Sequence, residues 1–125
     1  MTDWQGMAQA LAEAGFPGVE LGEAVIFARI DGPASAEFEV LAAEGGFRLV
    51  LRWNIRLTAS ALADWNARHS EAQLSCDLGE ATLSMLVPAG GQELAAALRR
   101  WSGHALEAAV LVSHWRQDQR PIHGM

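Results

Sequence analysis

Residues 36–57, AEFEVLAAEGGFRLVLRWNIRL, alternate apolar and polar side chains on both sides of a Gly-Gly pair. A period of two is the signature of a strand with one buried and one wet face, and glycines between two such runs mark a hairpin. Closing the hairpin at Gly45-Gly46 sets Val40 opposite Leu51 and Phe38 opposite Trp53 on the apolar face, with Glu39 opposite Arg52 on the other. One register thus satisfies both the hydrophobic face and an opposite-charge pair, each cross-strand pair contributing roughly 0.2–1 kcal/mol. A chain built around this segment needs an antiparallel sheet whose apolar face something else must cover.

The same logic recurs in AQLSCDLGEATLSMLV, residues 72–87. A turn at Gly79-Glu80 pairs Leu78 with Ala81, Cys76 with Leu83 and Leu74 with Met85, leaving Ser75, Asp77, Thr82 and Ser84 outside. Pro88 ends that strand. VEL and EAVIFARI, bounded by Gly22 and by Asp31-Gly32-Pro33, together predict a first strand.

Three helices supply the cover. Trp4, Met7, Ala8 and Leu11 follow the i, i+3, i+4, i+7 spacing, with Thr2 or Asp3 as cap and Gly15 as stop. Thr58 caps a short helix over residues 59–69, which carries Trp65-Asn66 at its centre. From Gln92 to about Arg116, Leu94, Leu98, Trp101, Ala105, Ala108, Val112 and Trp115 alternate steps of four and three, a heptad seam that can close the core or extend to a second subunit. The expected order is α-β-β-β-α-β-β-α, an α+β fold with helices packed on an antiparallel sheet. Residues 1–118 make one domain, and 119–125 a loose tail.

Composition bears on what such a domain touches. Nine basic residues against fifteen acids give a net charge of −6, the wrong sign for a general binder of nucleic acid or anionic membrane. Cys76 is the only cysteine, so no intramolecular disulfide forms, in keeping with a reducing compartment. The first residues lack the positive charge of a secretory signal and no apolar run is long enough to span a bilayer, so a cytoplasmic protein is expected.

The search for chemistry returns little. His69, His104, His114 and His123 include no i, i+4 pair, so no metal site is expected, and no cofactor motif is present. His69 and Cys76 could form an imidazole–thiol pair, but the register turns Cys76 to the apolar face, where it acts as a small hydrophobe. Arg48, Arg52 and Arg56 share one face of the central hairpin with Asn54, opposed by Glu37 and Glu39. With Trp101 and Trp115 they are the candidate surface for a protein partner or for homodimerisation. Trp65 is expected to dock its helix onto the sheet, and Asn66 to bond the backbone of the strand that begins near Ala72.

Trp65-Asn66, the strand–Gly-turn–strand that follows in LTASALADWNARHSEAQLSCDLGEATLSMLV, and the opening LAEAGFPGVEL together resemble the YbjN family of bacterial sensory transduction regulators. The resemblance spans residues 4 to 116 and is sharpest at Trp65-Asn66. It implies a fold like that of the type III secretion chaperones, which are small, acidic, commonly dimeric proteins that bind polypeptide. The chain departs from the family's pattern in Ser70, in LSCDLG and in having no tyrosine. The expectation is therefore a non-enzymatic, cytoplasmic regulator or chaperone-like homodimer acting on a protein partner. The alternatives are a dedicated secretion chaperone, or a small-ligand sensor or enzyme with a pocket lined by Trp53, Trp65 and Cys76.

Overall fold

The structure is a computed structural model that describes residues 2–31 and 36–118. The expected tail and part of the Asp31-Gly32-Pro33 turn lie outside the described residues. Its elements are α1 (Trp4–Glu13), β1 (Glu20–Leu21), β2 (Ile26–Ile30), β3 (Ala36–Ala43), β4 (Gly46–Asn54), α2 (Ala59–Arg68), β5 (Ala72–Asp77), β6 (Glu80–Pro88) and α3 (Gly91–Asp118). Six antiparallel strands form one sheet in the order β1-β2-β3-β4-β6-β5. The predicted α+β architecture stands, with one strand more than the periodicity suggested. Between VEL and VIFARI, Gly22 N–H donates to Val25 C=O at 2.8 Å and Ala24 takes φ +57°, so the stretch folds back as a two-residue β1 on β2.

Local chemistry sets the helix ends. Asp3 caps α1 by accepting from Gly6 N–H at 2.9 Å, and Thr58 caps α2 by accepting from Ala61 N–H at 3.1 Å. At the C-terminus of α1, Gly15 at φ +94° lets its own N–H reach Ala12 C=O while Phe16 N–H reaches Leu11 C=O. That is a Schellman ending, and it turns Phe16 inward, edge-on to Phe38 at 5.3 Å.

Both hairpin registers differ from the expected ones by two residues, which leaves every side chain within the strands on its predicted face. Val40 pairs with Leu49 and Phe38 with Leu51, because the turn is Glu44-Gly45 and Gly46 already belongs to β4. Gly46 is held there by packing: a Cβ on it would collide with the Val87 carbonyl of β6. In the second hairpin Leu74 pairs with Leu83 and Cys76 with Ala81 around a Leu78-Gly79 turn. Leu78, predicted to face Ala81, is instead 98% exposed.

Both turn residues there are left-handed, Leu78 at φ +51° and Gly79 at +80°. Such a turn favours Asn or Gly first, and a leucine pays roughly 1 kcal/mol of steric cost. Leu78→Asn, which also removes a solvent-facing leucine, is expected to raise stability by about 0.5–1 kcal/mol. A chemical denaturation midpoint that is unchanged or lower would contradict that reading of the turn.

One apolar layer joins sheet and helices. Ile26, Ala28 and Ile30 of β2, Phe38 and Val40 of β3, Leu49 and Leu51 of β4, and Leu83 and Met85 of β6 meet Met7 and Leu11 of α1 and the seam of α3. The seam from Leu94 to Val112 is buried as its heptad spacing predicts. At 28 residues α3 is about 42 Å long, enough to cross the sheet. Trp101 is fully buried at its midpoint, edge-on to Phe38 at 5.6 Å. Among the described residues its indole Nε1–H finds no acceptor, a cost of about 1–3 kcal/mol that the burial of the ring must offset.

Candidate partner-binding face and the Trp-Asn clamp

β5 is the last strand of the sheet, so one row of its backbone N–H and C=O groups points away from β6. The Trp65-Asn66 dipeptide meets that row. Trp65, buried to 1% exposure, donates its indole Nε1–H to Ala72 C=O at 2.9 Å. The Asn66 amide donates from Nδ2 to Leu74 C=O at 2.8 Å and accepts Leu74 N–H on Oδ1 at 2.9 Å, as a neighbouring strand would. A side-chain amide has one donor and one acceptor group in the spacing of a peptide unit, so asparagine substitutes for one residue of a seventh strand. Cys76 continues the closure: its Sγ accepts Leu57 N–H at 3.4 Å and donates to Ile55 C=O at 3.5 Å, tying the β4–α2 connection to β5.

His69 extends the clamp toward α3 rather than toward Cys76. Its ring stacks on Trp65 with centroids 3.9 Å apart and donates from Nε2 to Glu107 at 2.5 Å. Arg68 lies 3.6 Å from the same carboxylate. Beside this pair, His104 Nε2 donates to Glu71 at 2.9 Å and Arg100 Nε donates to it at 2.9 and 3.2 Å, with the two imidazoles edge-to-face at 5.3 Å. The sequence reading missed this cluster, although Arg100, His104 and Glu107 are spaced by four and three on one stripe of α3. Among the described residues no three His, Cys, Asp or Glu side chains are grouped to hold a metal ion.

Partial burial pushes the Glu71 carboxyl up, but the hydrogen bonds from His104 and Arg100 and their charges outweigh it and leave the group below its ordinary value of 4.5. A carboxylate depressed by folding stabilises the native state above its unfolded value, and that contribution is lost as pH falls through the lower folded value. Stability of the wild type is therefore expected to fall more steeply than that of Glu71→Gln between about pH 5 and pH 3. Parallel profiles in denaturant titrations across that range would contradict the assignment.

The helices lie on one face of the sheet, and among the described residues no helix covers the other. On that bare face β4 presents Arg48, Val50, Arg52 and Asn54, flanked by Phe27 and Arg29 of β2, Glu37, Glu39 and Leu41 of β3, and Thr82, Ser84 and Leu86 of β6. Arg52 is ion-paired to Glu39 and lies 3.7 Å from Glu80. Arg48 and Arg52 thus share the face the alternation predicted, while Arg56 lies exposed beyond the end of β4. The five candidate surface residues do not come together. Trp101 is inside the core and is removed from any surface role, and Trp115 is half-buried far along α3.

Nor do Trp53, Trp65 and Cys76 line the cleft of about 690 Å³ that opens between α1 and the start of α3, whose walls include Gly6, Ala10, Gly91, Ala95 and Arg99. No helix among the described residues is long and apolar enough to cross a membrane. Compared with protein-family models, with curated proteins and with solved structures, the chain matches none.

Proposed function

We propose that this chain is a non-enzymatic, cytoplasmic protein that regulates or chaperones by binding a polypeptide partner, and that it is YbjN-like with the fold of the type III secretion chaperones. The observation that carries the reading is the bare sheet face. Among the described residues, the six-stranded sheet is covered by three helices on one side, and its other side offers arginines and partly exposed apolar side chains with no helix packed on them. The element order, with one short strand added, and the Trp65-Asn66 helix support the family likeness. The net charge of −6 weighs against nucleic acid and anionic membrane as the target.

The homodimer in this proposal draws on the later part of α3. Val110 is 52% exposed there, and Leu111 and Trp115 are only partly covered by the core. Sedimentation at tens of micromolar is expected to give twice the chain mass, and a single monomeric species would remove the dimer from the proposal. For the partner, affinity capture from cytoplasm of the organism that makes the chain is expected to enrich a defined polypeptide over an unrelated acidic control. Equal recovery from both would remove the binding role. A gene neighbourhood containing a secretion apparatus or its effectors would favour the dedicated secretion chaperone over the general regulator.

A further inference from the structure

The bare face is not uniform. Toward Arg52 it is a lattice of charges: Arg29 stands opposite Glu37, and Arg52 is engaged by Glu39 and Glu80. Toward Arg48 it is apolar. Arg48 pairs in register with Leu41 on one side and Leu86 on the other, and Val50 is the next residue of β4 on the same face. Leu86 is 58% exposed although its strand lies within the sheet, whereas Val50, outside the main core cluster, is 4% exposed and offers almost no surface of its own. No acid stands in register with Arg48, and among the described residues it makes no ion pair.

We propose that this end of the face docks a polypeptide segment carrying a carboxylate between apolar side chains, with Arg48 meeting the carboxylate and Leu41 and Leu86 receiving the flanking side chains. The proposal rests on the polypeptide-binding reading above and specifies its site and the chemistry of its partner. Guanidinium forks match carboxylates in two parallel hydrogen bonds. Covering the leucines would also exclude water from that pair and strengthen it. A phosphate backbone fits poorly, because a single arginine set between leucines at this end of the face is no track of charge and the chain as a whole is acidic. A second copy fits poorly as well: two-fold pairing of the same patch would bring Arg48 toward Arg48 with no acid in either frame.

The test is to pan a displayed library of random dodecapeptides on the full chain and to measure selected peptides against Arg48→Gln, Arg48→Glu and Leu86→Ser. These positions are exposed and outside the core, so the variants are expected to keep the wild-type melting transition. Selected peptides are expected to place Asp or Glu beside Leu, Ile, Val or Phe, to lose at least tenfold in affinity to Arg48→Gln and to Leu86→Ser, and to be replaced by basic peptides when Arg48→Glu is panned. Peptides whose affinity ignores both positions would overturn this site while leaving the polypeptide-binding reading in place. Failure to select any peptide would count against both. A concentration-dependent dimer that Arg48→Glu abolishes would overturn the proposal in favour of a second copy on this face.

Discussion

Trp65→Ala is expected to destabilise the chain by about 3–5 kcal/mol, the range for removing a large buried aromatic. The ring is almost wholly inside, and α2 is a helix of 10 residues whose own stability in water is marginal, so its place on the sheet depends on that anchor. Losing the ring also frees Ala72 C=O from its indole donor and removes the plane on which His69 stacks. Trp65→Phe is expected to cost less, about 1–3 kcal/mol, since it keeps most of the packing but loses the hydrogen bond to Ala72 C=O and the volume of the second ring. Equilibrium denaturation measures both. A loss below about 1 kcal/mol for the alanine variant would mean that α2 is held by something other than Trp65.

The second large effect is expected at Asn66, where Asn66→Asp should cost about 3 kcal/mol. The substitution keeps size and the acceptor for Leu74 N–H but replaces the donor to Leu74 C=O by a negatively charged oxygen. Asn66→Ala is expected to be milder, because water at this half-buried edge can reach the two groups that the amide leaves behind. The order Asp worse than Ala identifies the amide as a surrogate strand. If both variants retained wild-type stability but lost partner capture, the dipeptide would be a binding element instead of a clamp.

These two residues also mark how much was legible beforehand. The alternation in residues 36–57 and 72–87 placed every strand side chain on its correct face, and the heptad spacing from Leu94 to Val112 identified the buried seam of α3. Each turn lies one residue earlier than expected, which shifts each register by two, for reasons outside the local sequence. Gly46 is required in β4 by the approach of the Val87 carbonyl from β6, and Leu78 accepts an unfavourable turn conformation because β6 is already fixed by pairing along β4. The β1 hairpin was hidden because two residues carry no periodicity. Asn66 was expected to bond strand backbone, and it does so, at both groups of Leu74.

The surface was harder to foresee. Sequence placed Arg48 and Arg52 together and Glu39 across from Arg52, and that ion pair forms, but only the strand order reveals that Glu80 also approaches Arg52 while Leu41 and Leu86 flank Arg48. It likewise offered Trp101 and Trp115 as one stripe. Trp101 packs edge-on to Phe38 of the sheet and is buried, while Trp115, toward the far end of α3, is only partly covered, a distinction that heptad spacing does not contain.

The central claim is that the bare sheet face meets the partner and that the Trp-Asn helix serves the fold. It is tested most directly by placing a photocrosslinking residue at position 86 on that face, or at the exposed position 67 on α2, and illuminating each in cytoplasm of the source organism. A discrete polypeptide adduct at 86, with none at 67, is the predicted result. An adduct at 67 and none at 86 would contradict it.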